Sequence, residues 1–111
     1  MRLLLLVLSS PGGHGVTTAS KLAEAALRRG HEVIIFFTGE GVENLRRDAE
    51  GPSARLLAKL AARGVRVLAC RESARRKGLL VEGDLVEGAE MSSLAEMVEL
   101  MDSSDRTLVF G

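Results

Sequence analysis

Two runs of apolar residues constrain this chain more than anything else in it: Leu3 to Leu8, and Val33 to Phe37 within a segment that begins at His31. Neither alternates with polar residues. A strand with one wet face alternates, whereas a continuous run of this length suits a parallel strand buried under helices on both sides. A third strand, Val65, Val67 and Leu68, follows Gly64, and a fourth is expected over Arg106 to Phe110.

Between these strands the spacing changes to that of helices. Ala19, Leu22, Ala23 and Ala26 make one face of a helix expected over Val16 to Arg29, closed by Arg28-Arg29-Gly30. Ala54, Leu57, Ala58 and Ala61 do the same from Pro52 to Arg63, with Pro at the start and Gly64 at the end. Ser93-Leu-Ala-Glu96 reads as a capping box, opening a helix whose Leu94, Met97, Val98 and Met101 share a face and whose methionines are expected in the core. A polar loop from Thr38 to about Pro52, with a helical turn near Val42 to Arg47, and a loop from Leu79 to Ala89 complete the chain. Strands alternating with helices imply right-handed crossovers. The expected fold class is α/β: a three-layer sandwich, one domain over 1–111, with a mainly parallel sheet of four strands and a fifth drawn from a loop.

Charge and composition exclude several functions. Fifteen basic residues balance fifteen acidic ones, so no global field recruits nucleic acid or an anionic membrane. With neither Trp nor Tyr and only three Phe, base stacking is not expected. The apolar run after Met1-Arg2 is too short to span a bilayer and lacks a small-x-small cleavage site. One cysteine with two separated histidines, His14 and His31, makes a poor zinc site and no internal disulfide, which suits a reducing cytoplasm. No metal or cofactor is called for.

That cysteine, Cys70, falls where the third strand ends and a polar, helix-compatible segment begins, Arg71 to Gly78. Reactive groups gather at strand carboxyl ends in open parallel sheets. The first N–H groups of a following helix, with Arg71, Arg75, Arg76 and Lys77 nearby, would favour thiolate over thiol. The residues alone leave two readings: a reactive thiol, or a small buried hydrophobe beside a solvated basic face.

The competing feature is the loop Ser9 to Gly15. Gly13-His-Gly15-Val-Thr-Thr18 lacks the third glycine of a dinucleotide fingerprint, no acidic residue ends the second strand, and the lysine of a P-loop is missing. What remains is a helix N-terminus able to hold a small anion, or a tight turn capped by Thr17 or Thr18. His14 is a candidate base beside Cys70 or an exposed loop residue; Glu40, after the second strand, is a candidate site residue or a solvated one.

Taken together, the order of these segments resembles the DsrE/DsrF-like family of small sulfur-relay proteins, including TusD-type sulfurtransferase subunits. The resemblance rests on Arg-Gly-His31-Glu-Val, Phe36-Phe37-Thr-Gly-Glu40-Gly41-Val42, Gly-Val-x-Val-Leu-Ala-Cys70 with Ala74-Arg-Arg-Lys-Gly78 behind it, Ser93-Leu-Ala-Glu96, and Asp105-Arg-Thr-Leu-Val-Phe110. It implies a sulfurtransferase-type carrier in which Cys70 holds sulfur as a persulfide between a donor protein and an acceptor protein, in a homotrimer or hexamer. Gly13, His14, Glu40 and Arg71 are then the residues expected around the substrate. The family also contains members without the active cysteine that serve as structural subunits. This chain is short beside the TusD-type subunits, mainly between the second strand and Cys70.

Overall fold

The computed structural model describes residues 1–49 and 51–111. Five strands, β1 (Arg2–Val7), β2 (Glu32–Phe37), β3 (Arg66–Cys70), β4 (Ala89–Ser92) and β5 (Arg106–Phe110), form one sheet in the order β4-β3-β2-β1-β5. Every pairing is parallel. The continuous apolar runs have the cause the sequence suggested. Leu4 to Val7 and Val33 to Phe37 are buried on both faces of the central strands.

Helices α1 (His14–Arg28) and α2 (Pro52–Ala62) cover one face, packing Ala19, Ala23, Ala26, Leu57 and Leu60 against Leu5, Val7, Val33, Ile35 and Phe37. Helix α4 (Leu94–Ser103) covers the other, over Leu4, Leu6, Ile34, Phe36 and Leu68. The result is the three-layer sandwich. α1 ends as its Arg-Arg-Gly tail requires: Gly30 takes φ +84°, and the Gly30 and His31 N–H groups donate to the Leu27 and Ala26 carbonyls at 3.0 and 3.1 Å. The same pair of bonds closes α2 at Gly64 and α3 (Arg71–Arg76) at Gly78.

The fifth strand expected from a loop is β4, which emerges from the end of the Leu79–Ala89 loop; other expectations change. That loop is packed, with Leu79, Leu85 and Val86 buried and the Asp84 carboxylate accepting from the N–H groups of Leu80 and Val81 at 2.8 and 3.1 Å. The helical turn after β2 is a 3₁₀ segment, Gly39–Leu45, starting earlier than Val42; the loop expected to reach Pro52 includes Glu50, which lies outside the described residues.

Neither Thr17 nor Thr18 caps α1. The helix begins at His14, two residues before the expected Val16, with Gly13 as its N-cap and no side-chain acceptor, because the Pro-Gly-Gly turn brings the chain into helical geometry sooner. At α4 only half the capping box forms. Ser93 Oγ accepts from the Glu96 N–H at 3.0 Å, while the Glu96 carboxylate turns to Ser92 and Arg66. The apolar face of α4 is also displaced: Leu100 is buried and Met97 packs beside it, whereas Leu94, Val98 and Met101 are exposed. The spacing marks an apolar stripe but not which flank meets the sheet.

Candidate functional site

Cys70 is the last residue of β3 and the N-cap of α3, so its side chain hangs at the carboxyl edge of the sheet. Register explains its neighbours. Phe37 pairs with Ala69, which places Thr38, the next residue, beside Cys70; on the other side Cys70 pairs with Ser92. Leu68 and Cys70 share the α4 face, so the thiol also packs among Leu6, Phe36 and Leu100 and is only 1% exposed.

Two opposing influences act on the thiol. Burial is the largest and pushes its pKa up; the Ser73 hydroxyl, the Ser73 N–H, the Thr38 hydroxyl and the Glu72 N–H oppose it, and the balance holds the thiol below its usual range. No strict capping hydrogen bond forms, yet these donors converge on the sulfur, and each favours the anion. Ser73 is itself fixed: its oxygen accepts from the Gly39 N–H at 2.9 Å and lies 3.4 Å from the Thr38 hydroxyl. The 3₁₀ segment after β2 and the first turn of α3 are thereby tied together over the thiol.

A cleft of about 310 Å³ opens beside the sulfur, lined by Cys70, Arg71, Glu72, Arg75, Ser93 and Leu94. Its rim is cationic on the α3 side and apolar on the α4 side.

The candidate residues divide accordingly. Arg71, the exposed first residue of α3, stands on the rim of the Cys70 cleft. Glu40 is one step removed: Lys77 Nζ donates to its two oxygens at 2.7 and 2.8 Å, in a depression it shares with Ser73. Gly13 and His14 lie elsewhere. Both line a cleft between the starts of α1 and α2, with Asn44 and Ser53 opposite. The β1 and β3 ends are separated by β2, about 10 Å at ordinary strand spacing. His14 and Cys70 share none of the described clefts. His31 sits at the opposite end of the sheet, its Nδ1 2.9 Å from the Met1 amino group. No cluster of three metal-ligating side chains forms among the described residues, and no helix there is long and apolar enough to cross a membrane.

Thr38 and Ser73 were not singled out from the sequence. Ser73 has a local signal, since it follows Cys70 by three residues and so falls at the N–H-donating start of the helix. Thr38 has none without the strand register.

Against known proteins, residues 1–110 match the profile of the DsrE/DsrF-like family. The chain belongs to that family. An uncharacterized protein of Methanopyrus kandleri is 32% identical to it, across 84% of this chain and 79% of that one. Among solved structures, the ychN protein from Escherichia coli superposes with a TM-score of 0.87 at 22% identity, covering 99% of this chain and 100% of that chain. A protein of unknown function from Methanobacterium thermoautotrophicum gives 0.80 at 21% identity, over 97% of each chain. At these identities the structural matches establish the DsrE-like fold, and the family match places the chain among proteins with a sulfur-relay-type fold.

Proposed function

We propose that this DsrE-like chain is a sulfur carrier whose working group is Cys70. The observation that carries the reading is the ring of four donors on the thiol, from Thr38, Glu72 and Ser73, which hold it toward the thiolate despite its burial. Thiolate, not thiol, attacks sulfane sulfur. The Cys70 thiolate attacks the outer sulfur of a donor persulfide, R–S–SH; a new S–S bond forms, the donor's S–S bond breaks, and the donor leaves as R–S⁻. Cys70 then carries S–SH. A thiolate on the acceptor attacks that outer sulfur in turn, takes it as its own persulfide and returns Cys70 as thiolate. Each step is an exchange with no net oxidation, so no cofactor or metal is needed.

In this reading Arg71 and Arg75 on the cleft rim attract the anionic persulfide, and Glu40 acts at a distance by holding Lys77 over the Ser73 side of the site. Gly13 and His14 fall outside it. The donor and acceptor are proteins and the assembly is a homotrimer or hexamer, as the resemblance implies; the lone cysteine suits a reducing cytoplasm.

One observation favours a second reading. With 1% exposure and Leu6, Phe36, Leu68 and Leu100 around it, Cys70 also has the surroundings of an inert core residue in a non-catalytic assembly subunit. Incubating reduced protein with a sulfane-sulfur donor and recording its intact mass separates the two. The carrier gains the mass of one sulfur, loses it on reduction, and gains none as Cys70→Ala. A native protein that gains nothing, while the unfolded chain is modified, is the assembly subunit.

A further inference from the structure

Helices α1 and α2 begin alike. Neither has a side chain capping its first N–H groups, and neither carries an acidic residue in its first turn. Their starts converge on the cleft of about 330 Å³ that holds Gly13 and His14. Where the helices approach, Thr17 Oγ1 and Ser53 Oγ stand 3.5 Å apart. The N–H groups of His14, Gly15 and Val16 on one side, and of Ser53 and Ala54 on the other, have no acceptor within their own helices. Two N-terminal partial charges thus face one space, which favours an anion there. Glu43, the carboxylate on this wall among the described residues, is held by Arg46 Nε at 2.7 Å.

A buried hydroxyl lies at the same junction. Ser20 is 1% exposed, and its Oγ has no hydrogen-bond partner among the described residues. A serine inside a helix ordinarily bonds back to the carbonyl four residues earlier; Ser20 does not, and a buried polar atom left so is costly. It lines a recess of about 50 Å³ with Lys21, and the recess shares Thr17, Pro52 and Ser53 with the main cleft. Hydroxyl and ammonium donors therefore adjoin the two helix starts.

Asn44 makes a demand of the opposite kind. It is 7% exposed and lines the cleft. Both protons of its amide are committed, because Nδ2 donates to the Ser9 and Gly41 carbonyls at 2.9 and 3.0 Å. What it presents to the cleft is Oδ1, which only accepts. A phosphate oxygen cannot satisfy that atom, whereas a hydroxyl can. The groove calls for one molecule that carries an anionic group and a hydroxyl, and its volume is at the small end for ligand pockets.

We propose that the α1–α2 groove binds a small phosphomonoester of a hydroxylated carbon chain, of sugar-phosphate size. The phosphate rests on the two helix starts and the Thr17 and Ser53 hydroxyls, with one oxygen reaching the recess of Ser20 and Lys21. A hydroxyl of the same molecule donates to Asn44 Oδ1. The groove is separate from the Cys70 cleft, so the site stands whether or not Cys70 carries sulfur.

Calorimetric titration of the full chain with ribose 5-phosphate, at fixed ionic strength, tests the site beside inorganic phosphate and ribose. The expected result is saturable binding of ribose 5-phosphate, at least about tenfold tighter than that of inorganic phosphate or ribose, the scale of one good hydrogen bond. Ser53→Glu puts a carboxylate in the first turn of α2, where it favours the helix and repels the phosphate. That variant should melt no lower than wild type and bind at least about tenfold more weakly. Ser20→Ala should bind several-fold more weakly with its Tm unchanged or raised, since the lost hydroxyl has no protein partner. No saturable binding of ribose 5-phosphate, equal affinity for inorganic phosphate, or a Ser53→Glu chain that binds as wild type does overturns the proposal. So does a Ser20→Ala chain with wild-type affinity, which means that the recess takes water only.

Discussion

Ser73 receives the Gly39 N–H on its hydroxyl oxygen at 2.9 Å, which leaves the hydroxyl's own proton free to be given to the Cys70 sulfur. One side chain thus links the turn after β2 to the thiol at the end of β3. Removing it as Ser73→Ala deletes the donor with the largest lowering effect on the thiol, while burial still raises it. The expected outcome is a higher Cys70 pKa and alkylation at neutral pH slowed on the order of tenfold, the scale of one hydrogen bond to a charged group. Iodoacetamide labelling across a pH series measures both. An unchanged pH profile would remove Ser73 from the site.

Linkage makes the same thiol a stability group. Its folded pKa lies below the ordinary thiol value, so between the two the unfolded chain binds more protons and stability rises with pH. The contribution is fully present above the unfolded pKa and is lost as pH falls through the folded one. Urea unfolding of wild type and Cys70→Ser over mildly acidic to alkaline pH checks this. The wild-type curve gains relative to the variant toward high pH, and parallel curves would contradict the depressed pKa.

Much of this architecture was legible before any coordinates, because the central strands carry their burial in composition: Leu3 to Leu8 and Val33 to Phe37 have no polar residue to place in water. Cys70 at a strand end was legible for a similar reason, since Val65 to Leu68 stop where charged residues begin. β4 was not. Ala89-Glu-Met-Ser92 is a short edge strand with Glu90 exposed, and it lacks a continuous run. The α4 stripe misled because spacing of three and four residues reports an apolar flank, not the partner that covers it. Thr38 joins the site through the alignment of two strands 32 residues apart in sequence from Cys70, information that lies in pairing rather than in either segment.

Glu96 ties α4 down through Ser92 and Arg66, and both partners hold its carboxyl below the usual range against a smaller opposing effect of burial. Ser92 contributes most. A depressed folded pKa in an acid means stability that is present above the unfolded value and is lost as pH falls through the folded value. Glu96→Gln should flatten the acid limb of the stability curve. At neutral pH it should remove less than about 1 kcal/mol, because both side chains of the Arg66 pair are more than a third exposed and water screens them. Chemical unfolding at pH 3 to 7 is the measurement; equal slopes for both proteins would contradict it.

The displaced face of α4 gives a sharper contrast. Leu100 is buried against Leu4, Leu6, Ile34 and Phe36, so Leu100→Ala should destabilise by about 2–5 kcal/mol, the range for a large-to-small core change. Val98→Ala, two residues away and so on the opposite, open flank, should change the stability of the single chain by less than about 0.5 kcal/mol. Denaturation at concentrations low enough to keep the chain monomeric separates the two. Equal losses would mean that the stripe, not Leu100, meets the sheet.

Gly41 tests how tightly the turn over the thiol is seated. It sits inside the 3₁₀ segment, buried, and a β-carbon there would drive into the Val7 carbonyl, the same oxygen that accepts the Thr38 N–H at 3.1 Å. Backbone cannot yield as a flexible side chain can, so Gly41→Ala should displace the whole turn. A loss of about 1–3 kcal/mol is expected from overpacking, or roughly 4–8 °C in Tm per kcal/mol for a chain of this size. Because Thr38 and Gly39 move with the turn, Ser73 loses its anchor and the thiol loses two of its donors. Alkylation of Cys70 should therefore slow at neutral pH even where the variant is fully folded. Gly39→Ala provides the control: its φ of +56° makes the change strained, but no atom lies in the way, so it should lower stability less than Gly41→Ala does.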